Sequence, residues 1–139
     1  MGRSGVSCGP VDAAPKKILV VEDSAAMRAL VASTLESVEG VSATETASGY
    51  EALKLIPRER FDLIITDINM PEINGLELIR FIRSRPEYQD VPLVIISTES
   101  SERDRERGLE LGASAYFTKP FEPQALLETV RELLGAGDA

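Results

Sequence analysis

From residue 18 to residue 134 the chain alternates two kinds of hydrophobic spacing. ILVV (18–21), FDLIIT (61–66) and LVII (93–96) are short, densely apolar runs of the buried-strand type. VSATET (41–46) alternates with polar positions, and AYFT (115–118) is a short fifth run. Between them the period lengthens to that of a helix. Met27, Leu30, Val31, Leu35 and Val38 share one face, with Ser24 near the start and Gly40 as a stop. Tyr50, Leu53 and Ile56 mark a short helix closed by Pro57, and Leu76, Ile79 and Ile82 a third that ends before Pro86. A charged helix runs over 101–111 to Gly112, and a last one over 123–134 turns Leu126, Leu127, Val130 and Leu133 inward.

Five strands alternating with five helices require crossovers, hence an α/β, doubly wound parallel sheet with helices on both faces. The first, third and fourth strands are apolar enough to be central, while the second is the edge candidate. One domain is expected over 17–135. Residues 1–16 are small, Gly- and Pro-bearing and aperiodic, and read as a disordered tail; 136–139 read as a short C-terminal tail.

Polar chemistry gathers at the strand ends. Glu22 and Asp23 follow the first strand, Asp67 the third, Ser97 the fourth and Lys119 the fifth. In an open parallel sheet those carboxyl ends form the ligand crevice. Taken singly, each residue has an ordinary reading: the acids as turn or cap residues, Ser97 as strand-end punctuation, Lys119 as a solvated charge, Tyr116 as packing. Asn74-Gly75 resembles a hairpin turn, but the helical period after it argues against one. Together they put three carboxylates, a hydroxyl and an ammonium on one rim. Three crowded carboxylates call for a hard divalent cation, Mg2+ first and Mn2+ as a substitute. Asp23 and Asp67 would ligate it directly, the Asn69 backbone carbonyl would add an oxygen, and Glu22 would act through water. A carboxylate oxygen of Asp67 can then attack a phosphoryl group, with Lys119 and Ser97 facing the phosphoryl oxygens.

Composition removes competing chemistries. The 139 residues carry 15 basic and 23 acidic side chains, a net charge of -8, which argues against nucleic acid and anionic membranes as partners. There is no histidine, and Cys8 is the lone cysteine, so His-based triads and cysteine zinc sites are out. No apolar run approaches a membrane span, and the cytoplasm is the expected compartment.

The segments ILVVEDS, IITDINMPEINGLELI, VIIST and GASAYFTKPF, in this order, resemble the receiver domain of two-component response regulators, most closely its chemotaxis type. The likeness spans nearly the whole chain. It implies the (βα)5 flavodoxin/CheY-like fold with strand order 2-1-3-4-5, for which chemotaxis receivers are a standard example. It implies Asp67 as phosphoacceptor, Glu22, Asp23 and the Asn69 carbonyl as metal ligands, and Ser97 and Tyr116 as switch residues. Lys119 takes the place of the family's lysine, with a cis bond to Pro120. Asn69 and Glu99 fall where the family tunes hydrolysis of the phosphoryl group. Glu22 stands in place of the commoner aspartate and Ser97 in place of a frequent threonine.

The resemblance also implies partners: a chemotaxis-like histidine kinase upstream, and a protein target docked on the surface of the fourth helix, fifth strand and fifth helix, in a monomer or weak dimer. Such a protein phosphorylates and dephosphorylates itself but turns over no other substrate. A phosphorelay intermediate is the nearest alternative. A small phosphohydrolase of the haloacid dehalogenase type would need an acid where Asn69 stands. A flavin module would need a hydroxyl-rich loop where Glu22-Asp23 stands, and a degenerate receiver would lack residues present here.

Overall fold

The computed structural model describes residues 15–68, 70, 73–97 and 102–136. Residues 1–14 of the tail expected at 1–16, residues 137–139 of the tail expected at 136–139, and the candidate residues Asn69 and Glu99 lie outside the described residues. Five strands, β1 (Lys16–Val21), β2 (Val41–Thr46), β3 (Leu63–Thr66), β4 (Leu93–Ser97) and β5 (Ala115–Thr118), form one parallel sheet in the order β2-β1-β3-β4-β5. Helices α1 (Ala25–Glu36), α2 (Gly49–Leu55), α3 (Gly75–Ser84), α4 (Glu102–Glu110) and α5 (Pro123–Ala136) supply the crossovers, with a 3-10 turn at Pro86–Tyr88.

The core is two half-cores divided by the sheet, because side chains alternate faces along a strand. Ile18, Val20, Leu63, Ile65, Val94 and Ile96 meet Val31 and Leu35 of α1 and Leu126 and Val130 of α5. Leu19, Val21, Ile64, Leu93 and Ile95 meet Ala52 of α2 and Leu78, Ile79 and Ile82 of α3. Strands β1, β3 and β4 are thus apolar on both sides, as central parallel strands must be.

Several boundaries differ from the sequence reading. β1 begins at Lys16, two residues before the apolar run and inside the expected tail, because Lys16 and Lys17 pair with Val41 and Ser42. α5 runs two residues past Leu134, so Ala136 is helical rather than tail. β3 begins only at Leu63. The Phe61 amide donates to the Tyr88 hydroxyl (3.2 Å), and the Asp62 carboxylate accepts the Lys17 amide (2.8 Å). Ser97 is the last residue of β4, not the first beyond it. Leu30, expected inward, is 41% exposed. The buried face of α1 centres on Val31 and Leu35, and Leu30 lies about 100° around the helix from Val31 and about 140° from Leu35.

Two tertiary staples fix the end of the sheet away from the strand carboxyl termini. The Tyr88 hydroxyl is buried and bonds the Ile56 carbonyl (2.9 Å) and the Glu59 carbonyl (2.5 Å) as well as the Phe61 amide. The Arg83 guanidinium donates to the carbonyls of Tyr88 (2.7 Å), Gln89 (3.1 Å) and Gly112 (2.7 Å). α4 itself closes in a Schellman motif. The Ala113 amide bonds the Gly108 carbonyl and the Gly112 amide the Leu109 carbonyl, with Gly112 at φ +111°.

Candidate functional site

Each acid reaches the rim for a local reason. β1 ends when its ladder to β2 runs out: the Glu22 amide takes the last bond, to the Thr46 carbonyl (3.1 Å). Ser24 then caps α1, its hydroxyl accepting the Met27 amide (3.3 Å) while its own amide donates to Glu22 Oε2 (3.0 Å). Asp67 follows β3 directly and its amide donates to the Val21 carbonyl (3.1 Å), which draws the two acidic corners side by side.

The loop after Asp67 is closed by α3. Asn74 and Glu77 form a reciprocal capping box, and the Gly75 amide donates to the Ile68 carbonyl (2.9 Å). A Cβ on Gly75 would stand 2.1 Å from the Asp67 carbonyl oxygen, so only glycine lets the helix start this close. The Asn74-Gly75 pair is therefore a cap followed by a close approach, not a hairpin.

β5 delivers the cation. The Lys119 amide donates to the Ser97 carbonyl (2.7 Å), holding the two strand ends together. Lys119 Nζ lies 2.7 Å from Glu22 Oε1 and 3.0 Å from Asp67 Oδ2, with all three side chains at most 10% exposed. The bond from Lys119 to Pro120 is cis, as expected. One carboxylate oxygen from each of Glu22, Asp23 and Asp67 lies within 4.8 Å of the others. Glu22 and Asp67 are buried and Asp23 is exposed. Ser97 is fully buried, and Tyr116 is half-buried against the α2–α3 half-core.

Burial drives the Glu22 carboxyl above its ordinary value; Lys119 and the Ser24 amide pull it down, and the Asp67 charge adds to the rise. For Lys119, burial alone would favour the neutral amine, but its hydrogen bonds to Glu22 and Asp67 outweigh that and raise it, so it stays an ammonium. Both directions express one fact: two buried carboxylates share one cation. With Asp23 counted, three acids and one ammonium leave a charge of -2 (1 - 3) among oxygen donors open to solvent on the Asp23 side. That donor set and that charge fit a hard divalent cation.

The family model for the response regulator receiver domain matches residues 18–131. The chain belongs to this family. The receiver is 38% identical over 122 residues to the chemotaxis protein CheY homolog of Campylobacter jejuni, covering 87% of this chain and 94% of that one. Among solved structures it is similar to chemotaxis protein CheY4 of Vibrio cholerae, with a TM-score of 0.79, 36% identity and coverage of 86% and 99%. It is also similar to the receiver domain of the sensor histidine kinase PA1611 of Pseudomonas aeruginosa, at TM-score 0.79, 30% identity and coverage of 88% and 99%. That structure has a magnesium ion coordinated in the active-site cleft. Family membership decides against the phosphohydrolase and flavin readings.

In this receiver the structure brings together Glu22, Asp23, Asp67 and Lys119, with Ser97 joined to Lys119 through the backbone. It also shows a participant that the sequence reading missed. The Arg28 guanidinium donates to the Glu22 carbonyl (2.9 Å) and its Nε lies 3.6 Å from Glu45 Oε1 on β2. The only hint in the sequence is a cation within the first turns of the helix that follows the acidic pair.

Proposed function

We propose that this receiver accepts a phosphoryl group on Asp67 from the phosphohistidine of a kinase and thereby reshapes a protein-docking face. The observation that carries the reading is the Lys119 ammonium bridging Glu22 and Asp67 beside a third carboxylate, at the ends of three strands. A carboxylate oxygen of Asp67 attacks phosphorus, the phosphorus–nitrogen bond breaks, and the imidazole leaves. Lys119, already within 3.0 Å of Asp67, stays charged and faces the incoming phosphoryl oxygens. Glu22 keeps Lys119 aimed and keeps the acidic corner fixed to α1 through the Ser24 amide.

Glu22, Asp23 and Asp67, with the Asn69 backbone carbonyl, would hold Mg2+, and Mn2+ would substitute. When bound, the ion neutralises charge on the transferring group. Hydrolysis of the acyl phosphate, tuned by Asn69 and Glu99 in this reading, returns the receiver to rest.

The switch in this reading runs from Ser97 to Tyr116. Phosphorylation adds charge and acceptor oxygens at Asp67, the Ser97 hydroxyl turns to them, and the Tyr116 ring follows. Ile95 pairs with Tyr116 and Ser97 with Thr118, so Ser97 and Tyr116 sit on adjoining strands two residues out of register. The face of α4, β5 and α5 then meets a protein target in a chemotaxis-like cytoplasmic pathway, the receiver acting as a monomer or weak dimer.

Radiolabelled acetyl phosphate tests the acceptor. Wild type is expected to take up label only with Mg2+ present, and Asp67→Asn is expected to take up none. Equal labelling of the two proteins refutes Asp67 as the acceptor.

A further inference from the structure

Asp23 is the exposed member of the acidic trio, and its side chain makes no hydrogen bond or ion pair among the described residues. Glu22 differs: Oε1 meets Lys119 and Oε2 the Ser24 amide. Nothing on the Asp23 side chain itself holds it toward Asp67, so its aim is set by the backbone that carries it. The peptide plane joining Glu22 to Asp23 has one oxygen, the Glu22 carbonyl, and Arg28 binds that oxygen at 2.9 Å. The amide on the other side of Glu22 is held by Thr46 at 3.1 Å. The residue is thus fixed at both of its peptide groups, one of them by a side chain.

Arg28 is positioned in turn. It sits on the first turns of α1, its amide bonding the Ser24 carbonyl (2.8 Å), and Glu45 of the edge strand engages its Nε. We propose that Arg28 is a positioning residue for the cation site: by holding the Glu22 carbonyl it aims the Asp23 carboxylate at the ion, and Glu45 holds Arg28 in place. This rests on the metal-binding reading above and deepens it. Electrostatics alone would act in the opposite sense, since a guanidinium beside the acids repels a cation and its removal would tighten metal binding. The two effects therefore predict opposite signs.

The test is Mg2+ titration by calorimetry on wild type, Arg28→Met, Arg28→Lys and Glu45→Gln, with urea unfolding of each in EDTA. Arg28→Met is expected to raise the Mg2+ Kd about 10-fold, the lower end of what outer partners of metal ligands contribute. Arg28→Lys keeps one donor and recovers part of the loss, and Glu45→Gln loses about 2-fold, less than an outer partner that touches the ligand backbone. Acetyl-phosphate labelling of Arg28→Met is expected to be slow at limiting Mg2+ and normal at saturating Mg2+. A purely structural Arg28 would lower the urea midpoint and leave Kd unchanged, and a purely electrostatic one would lower Kd; either result overturns the proposal. Failure of wild type to bind Mg2+ would instead refute the metal-binding reading on which the proposal rests.

Discussion

Lys119→Met leaves two buried carboxylates facing each other without their cation. In the wild type Nζ is 2.7 Å from Glu22 and 3.0 Å from Asp67. At an effective dielectric of about 20, each contact represents roughly 6 kcal/mol of Coulomb attraction, most of it offset by desolvation of the three groups. Removing one partner from a buried ion pair costs about 3–5 kcal/mol. The lower figure applies here, because the cluster opens to water on the Asp23 side. In EDTA at pH 7.5 the variant should therefore be about 3 kcal/mol less stable than wild type, a large share of the ~5–15 kcal/mol that holds a domain folded. Mg2+ should return part of that loss. The variant site carries -3 instead of -2, so the ion gains more from it, and at ten times Kd binding adds about 1.4 kcal/mol to stability. Lowering the pH through the carboxylate range should also narrow the gap, since protonated acids no longer need the ammonium. Urea unfolding followed by far-UV circular dichroism measures all three arms; the chain has no tryptophan to report on the transition. A deficit that is the same in EDTA, in Mg2+ and at low pH would refute the electrostatic account of Lys119.

Tyr88→Phe strands the Phe61 amide and the Ile56 and Glu59 carbonyls, and should cost about 2 kcal/mol in urea unfolding. Burial raises the Tyr88 hydroxyl above its ordinary value of 10.0, so the stability it adds is complete below pH 10 and is lost as pH climbs through the raised folded value. The phenylalanine variant should lack that alkaline loss. Gly75→Ala drives a methyl against the Asp67 carbonyl and should cost about 2 kcal/mol in thermal melts, with slower acetyl-phosphate labelling because the acceptor loop must shift. Asn74→Ala removes only the capping box; about 1 kcal/mol lost with labelling intact is expected, and impaired labelling would mean that the cap also sets the acceptor.

The fold was legible because its strongest signals are local. ILVV, LIIT and LVII are short, continuously apolar runs that read as strands buried on both faces, and the acids that follow the first two fall at the carboxyl ends whatever the strand order. The polar alternation of VSATET marked β2 as an edge, and it is one. What stayed hidden depends on residues far apart in sequence. Phe61 has strand chemistry, yet its amide is claimed by a tyrosine 27 positions later. Lys16 has tail chemistry, yet it is recruited by Val41. Leu30 counts as apolar in any pattern, and only the packing of Val31 and Leu35 onto the sheet turns it outward. In the site, the acids and Lys119 declared themselves by strand-end position. Arg28 did not, because its target is a backbone oxygen, and no residue type marks that in advance.

The Arg83 staple also has a mechanical consequence. It grips the Gly112 carbonyl, just past the end of α4, and ties it to the turn after α3. α4 is 9 residues long, roughly 13 Å at the rise of an α-helix. With one extremity moored, the element behaves as a lever with its fulcrum at the floor of the molecule. A swing of about 10° would carry its opening residues roughly 2 Å while leaving the moored extremity nearly still.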